Sequence, residues 1–131
     1  MRYLLDTVVW LWSVGQVKRL NSAAREILAD PQHELYFSAA SVWEIAIKAA
    51  IGKLGFPESP TILVPREMAR LGLRPLPVNH LHALAVYDLP VGHGDPFDRL
   101  LVAQARTEGL TLITADREIR NYSSQILWAG R

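Results

Sequence analysis

Short apolar runs alternate with longer helix-patterned segments from one end of the chain to the other, and this alternation limits the fold more than any other feature. Tyr3-Leu4-Leu5, Leu35-Tyr36-Phe37, Leu73 to Val78, Leu110 to Thr114 and Ile126 to Trp128 read as strands. Between them lie segments with helix start and stop signals. Asn21 and Ser22 cap Ala23–Leu28 before Asp30-Pro31 stops it. Asn79 caps a helix that runs through Val86, and Asp95-Pro96 opens one that continues to Gly109. Strands alternating with helices predict an α/β fold with a mainly parallel central sheet of four to five strands. The chain has 131 residues, half of them hydrophobic and 21% charged. That size and balance predict one globular domain over residues 1–131 rather than a disordered, collagenous or coiled-coil chain.

In open α/β sheets, function collects beyond the carboxyl ends of the strands. Four acidic residues fall where such a sheet gathers its strand ends. Asp6 and Asp116 follow the first and fourth strand candidates. Glu44 lies at the start of the helix after the second strand, in the sequence Ser41-Val42-Trp43-Glu44, and Asp98 lies in the first turn of the helix before the fourth strand. Each has a structural alternative. Glu44 fits a capping box opened by Ser41, Asp98 follows Asp95 by three residues, and Asp116 is placed to cap Arg117–Tyr122. Asp6, inside an apolar stretch, is harder to explain that way, because a buried carboxylate is costly unless paired.

Four carboxylates sharing a pocket repel one another, and a hard divalent cation relieves the repulsion. The chain has no cysteine, so thiolate zinc sites, disulfides and cysteine nucleophiles are excluded. Oxygen ligands alone favour Mg²⁺ or Mn²⁺. Such an ion can activate water, and its natural substrate is a phosphate ester. The near-neutral balance of 14 Lys+Arg against 13 Asp+Glu looks unpromising for a polyanion partner. Setting aside the four acids, which a cation would offset, leaves 14 basic residues against 9 acidic, a balance of +5. The apolar N-terminal stretch is too short to span a membrane and lacks a cleavage site, so a soluble cytoplasmic protein is expected.

Four segments carry a family resemblance: YLLDTVVWLW with Asp6, SAASVWEIAIKAAIGKL with Glu44, HGDPFDRLLVAQA with Asp98, and LTLITADREI with Asp116. In this order and spacing the chain resembles a PIN domain, and more narrowly the VapC-type toxins of bacterial toxin–antitoxin pairs. The resemblance implies a three-layer α/β/α domain and a Mg²⁺- or Mn²⁺-dependent endoribonuclease acting on transfer, ribosomal or messenger RNA. It also implies a homodimer, and neutralisation by a small VapB-type antitoxin whose C-terminal segment blocks the site. Asp6, Glu44 and Asp98 would hold the metal, and Asp116 would complete the site or hold a second ion. Thr7 and Thr114 would orient a carboxylate or a water through their hydroxyls. Asp95 is read chiefly as a helix cap, and Arg99 and Arg117 as candidate contacts to RNA phosphates. A non-catalytic PIN-fold module that binds RNA or protein is the alternative. A haloacid-dehalogenase-like phosphatase fails because the second Asp it needs would fall at Val8.

Other residues carry weaker expectations. His80 and His82 read as surface or partly buried, and His93 as a loop histidine near the site mouth. Lys48 and most other basic residues read as solvated faces. Trp10, Trp12 and Trp43 read as core, with an interface role as the alternative.

Overall fold

A computed structural model describes residues 1–91, 94–122 and 125–131. Five strands, β1 (Arg2–Leu5), β2 (Glu34–Ser38), β3 (Leu73–Leu76), β4 (Thr111–Thr114) and β5 (Ile126–Trp128), form one sheet in the order β3-β2-β1-β4-β5. Every pairing between neighbouring strands is parallel. The chain winds outward from β1 in one direction to β3, then crosses to β4 and β5 on the other side. The crossing makes a crevice beyond the carboxyl ends of β1 and β4.

Among the described residues seven α-helices cover the sheet: α1 (Thr7–Gly15), α2 (Ser22–Ala29), α3 (Ala39–Ala50), α4 (Pro60–Leu71), α5 (His80–Ala85), α6 (Pro96–Glu108) and α7 (Arg117–Arg120). They divide into two layers because successive strand residues face opposite ways. Tyr3 and Leu5 of β1 pack with Val9, Trp10, Phe37, Ile45 and Leu63 on the side of α1 to α4. Leu4 packs with Leu101, Val102, Ala105 and Ile119 on the side of α5 to α7. Both faces of β1 and β4 are therefore buried, which explains why their sequences are apolar without alternation. Trp10 and Phe37 stack with ring centroids 5.4 Å apart in the first layer. Among the described residues no helix is long and apolar enough to cross a membrane.

One helix start differs from the sequence expectation. Helix α3 begins at Ala39, and its cap is Ser38, whose hydroxyl accepts from the Ala40 amide. Ser41 is therefore inside the helix, and its own hydroxyl accepts from Thr7 Oγ1 at 2.8 Å. The expected capping box between Ser41 and Glu44 does not form, and Glu44 stands in the second turn. His82 also departs from expectation. It is buried, with Nε2 2.7 Å from Glu108 Oε2 and Nδ1 accepting from the Asn79 amide. His80 is exposed. His93 lies outside the described residues.

Candidate active site

The carboxyl end of β1 delivers Asp6 to the crevice as the strand passes into α1. Its amide donates to the Ile113 carbonyl of β4 at 2.9 Å, which fixes the backbone there. The side chain is buried, and Thr114 Oγ1 donates to Asp6 Oδ2 at 2.8 Å. The same hydroxyl oxygen accepts from the Asp116 amide at 3.0 Å, so one threonine ties together the carboxylates at the ends of β1 and β4. Asp116 Oδ1 in turn accepts from the Glu118 amide and caps α7. Across the crevice, Asp95 Oδ1 accepts from the amides of Phe97 and Asp98 and caps α6, which sets Asp98 in its first turn.

Asp6, Glu44, Asp98 and Asp116 line one cavity of about 260 Å³, together with Thr7, Asp95 and Lys48. The structure thus brings all four acidic candidates to one place, although the chain positions contributing them are far apart. Among the described residues no three acidic or histidine side chains stand as a ready metal-ligand cluster. Of the two hydroxyl candidates, Thr114 binds Asp6 directly. Thr7 lines the cavity and joins α1 to α3 through Ser41. Neither Arg99 nor Arg117 lines the cavity. The Arg99 guanidinium donates to the carbonyl of Pro90 and to the hydroxyl of Tyr122. Arg117 is exposed on α7.

Electrostatics set these acids apart from ordinary surface carboxylates. Burial pushes the Asp6 carboxyl up to about 7; the charges of Asp116 and Glu44 add to this, while the hydrogen bond from Thr114 opposes it. Burial, then the charges of Asp6, Asp95, Asp116 and Glu44, push Asp98 up to about 8. Carboxyls raised this far by desolvation and by one another mark functional clefts more often than surfaces. The donor chemistry fits a hard divalent cation, because every candidate ligand atom is a carboxylate oxygen and the accumulated negative charge opposes ionisation.

Lys48 at the cavity, and Ser41 behind Thr7, take places that sequence spacing does not single out. Lys48 projects from α3 one turn beyond Glu44, and its Nζ lies 2.6 Å from Glu44 Oε2. Its spacing of four from an acidic residue is the available signal. Ser41 was read as a cap, and only the contact with Thr7 reveals its place between α1 and α3. The tryptophans divide. Trp10 is fully buried, and Trp12 is half-buried beneath the guanidinium of Arg19. Trp43 is 60% exposed, with its ring edge-on to Phe97. A larger cavity of about 580 Å³ adjoins the acidic one, sharing Val8, Leu11 and Leu54; Trp12, Phe56 and Leu63 line it together with Arg66 and Glu67.

Comparison with known proteins adds sequence and fold relations. The family model of the PIN domain matches residues 3–124. Ribonuclease VapC16 of Mycobacterium tuberculosis is 47% identical over 58 residues, a stretch that covers 44% of this chain and 41% of that protein's length. A structure of VapBC2 from Rickettsia felis bound to a promoter DNA fragment superposes with a TM-score of 0.74 at 15% identity, covering 98% of this chain and 99% of that one. DNA-bound VapBC from Salmonella typhimurium gives 0.72 at 20% identity, with 98% of each chain covered. At these identities the structural likeness shows a shared fold.

Proposed function

The chain belongs to the PIN domain family, and on that premise we propose that it is a Mg²⁺- or Mn²⁺-dependent endoribonuclease, the toxin of a VapBC-type toxin–antitoxin pair acting in the cytoplasm. The observation that carries this reading is the convergence of Asp6, Glu44, Asp98 and Asp116 on one cavity beyond the ends of β1 and β4. The named ribonuclease among its relatives and the fold shared with VapBC structures support it.

Asp6, Glu44 and Asp98 would hold the ion, with Asp116 completing the set. When bound, the ion supplies Lewis acidity, offsetting charge on phosphate oxygens and making water a better nucleophile near neutral pH. The rest falls to the protein's own side chains. Thr114 holds the Asp6 carboxylate through Oδ2 and so fixes its orientation. Asp95, by capping α6, fixes the backbone that presents Asp98. The Thr7–Ser41 contact fixes α3, and with it Glu44, against α1. Exposed Arg117 is placed to meet phosphates outside the cavity. Asp6 and Asp98 must lose their protons before they can serve as ligands, so a cation and protons compete for the same oxygens.

The partners follow from the same reading. RNA is the substrate, with transfer, ribosomal and messenger RNA as the classes to test. The larger cavity beside the acidic one, with its apolar walls and the charged Arg66 and Glu67, suits the C-terminal segment of a small VapB-type antitoxin. The exposed stripe Leu81, Leu84 and Tyr87 offers apolar surface for a homodimer. Mapping new RNA ends in cells after induced expression tests the reading. Discrete cleavage sites are expected with the natural chain and none with Asp6→Asn. The same RNA ends in both would show that the cavity is not the nuclease site.

A further inference from the structure

Lys48 is the one basic residue among the described residues that line the acidic cavity. Its side chain is 41% exposed, whereas that of its partner Glu44 is 8% exposed, so the ammonium stands at the cavity mouth and reaches inward to a buried carboxylate. The pair has Glu N-terminal to Lys at a spacing of four, the favourable orientation on a helix. The charges of Asp95 and Asp98 also favour the ammonium form, so Lys48 answers to more of the cavity than Glu44 alone. The other basic residue near the start of α6, Arg99, has its guanidinium bound to the Pro90 carbonyl and the Tyr122 hydroxyl.

We propose that Lys48 is a tethered counter-ion that changes partners: it holds Glu44 until that carboxylate takes a divalent ion, and the released ammonium then binds a backbone phosphate of the RNA. The proposal rests on the metal-dependent ribonuclease reading of the cavity. Its physical basis is competition. Glu44 Oε2 accepts a 2.6 Å charged hydrogen bond, so an ion that takes this oxygen weakens the contact, and an ion on the other oxygen still stands close to the ammonium across one carboxylate. Two cations on one carboxylate also repel. Once free, the ammonium is a compact charge on a flexible stem at the mouth of an otherwise acidic cavity, where a polyanion needs a positive contact. Lys48 is thus a positioning residue toward Glu44 and a contact residue toward the substrate.

Titration calorimetry with Mn²⁺ alone, on the full chain and on Lys48→Met, reads the first half of the exchange. Loss of one unit charge about 4 Å from a divalent ion in a water-like medium corresponds to an affinity gain of up to about thirtyfold, so Lys48→Met is expected to bind Mn²⁺ several-fold to about thirtyfold more tightly. Steady-state cleavage of a fluorescent single-stranded RNA at saturating Mn²⁺ reads the second half. KM is expected to rise and the slope of log KM against log salt to fall by about one, as for loss of one phosphate contact. Lys48→Arg keeps the charge and is expected to retain the salt slope. Damage to the fold would weaken both metal and RNA binding, so tighter metal binding with weaker RNA binding is the signature of the exchange. Mn²⁺ affinity in Lys48→Met equal to or below that of the natural chain, or an unchanged salt slope, overturns the proposal. Failure of the natural chain itself to bind Mn²⁺ overturns the reading beneath it, a separate result from the same titration.

Discussion

Thr114 and Asp6 are joined across β4 and β1 by a buried hydrogen bond of 2.8 Å, hydroxyl to carboxylate, although they lie 108 residues apart in the chain. The bond opposes the rise in the Asp6 pKa that burial causes. It also holds the carboxylate in one orientation at the end of β1. The oxygen of the same hydroxyl is held in turn by the Asp116 amide, so the side chain has little freedom to turn elsewhere.

Thr114→Val keeps the shape of the side chain and removes the hydroxyl. Loss of a partner that orients a metal ligand typically costs about 10–100-fold in metal affinity or activity. Lower RNA cleavage and weaker Mn²⁺ binding of that size are predicted, with the fold retained by circular dichroism. Unchanged Mn²⁺ affinity would remove Thr114 from the site.

Asp6→Asn trades function for stability. At pH 8 the natural Asp6 is ionised in a buried setting, at a cost on the order of 4 kcal/mol from the size of its shift. An amide at the same place avoids that cost and can still accept from Thr114. Without divalent cations, the midpoint of thermal unfolding at pH 8 is predicted to rise by roughly 5 °C or more, while RNA cleavage is lost. A lower midpoint would show that the Asp6 carboxylate is satisfied in the folded chain.

The pH dependence has a definite sign. Burial pushes Asp6 up to about 7 and Asp98 up to about 8 from the ordinary value of 3.8, so the folded state keeps protons that the unfolded chain has already lost. Their contribution to metal-free stability is therefore fully present below 3.8 and is lost as pH rises through about 7 and 8. Cation affinity runs the other way, rising through the same interval and levelling above it as the ligands lose their protons. Melting curves from pH 5 to 9, with and without Mn²⁺, would show stabilisation by the ion growing with pH. Stabilisation independent of pH would place the ion elsewhere.

Ser38→Ala tests the observed start of α3. Loss of a capping hydroxyl costs on the order of 1 kcal/mol. Ser38 also donates to Gln104 Oε1 at 2.5 Å in a buried network, so a larger loss is predicted than for Ser59→Ala at the exposed start of α4. Chemical denaturation of both variants gives the comparison, and equal losses would contradict the buried role.

The strands and the four acids were legible because burial on both faces writes an uninterrupted apolar run, and the sheet order then carries each strand end to one rim. Contacts between distant segments were not. Ser41 and Glu44 have the spacing of a capping box, and nothing local shows that Thr7 takes the Ser41 hydroxyl, leaving the cap to Ser38. Lys48 looks like any solvated helix lysine until α3 is docked beside the cavity. The burial of His82 depends on Glu108 and Gln104, which α6 brings from more than twenty residues away. Arg99 follows the candidate Asp98 by one residue, yet its guanidinium is held by Pro90 and Tyr122. Sequence spacing located the carboxylates, while the partners of the polar side chains were decided by packing.

The most direct measurement is cleavage of a structured RNA by the purified chain, followed by gel electrophoresis, with Mg²⁺ or Mn²⁺, with EDTA, and with Asp98→Asn in place of the natural chain. Cleavage that requires the divalent ion, stops in EDTA, returns on its re-addition and is absent from a folded Asp98→Asn variant is the predicted result. Cleavage that persists in EDTA, or in the folded variant, would contradict a metal-dependent site built on these carboxylates.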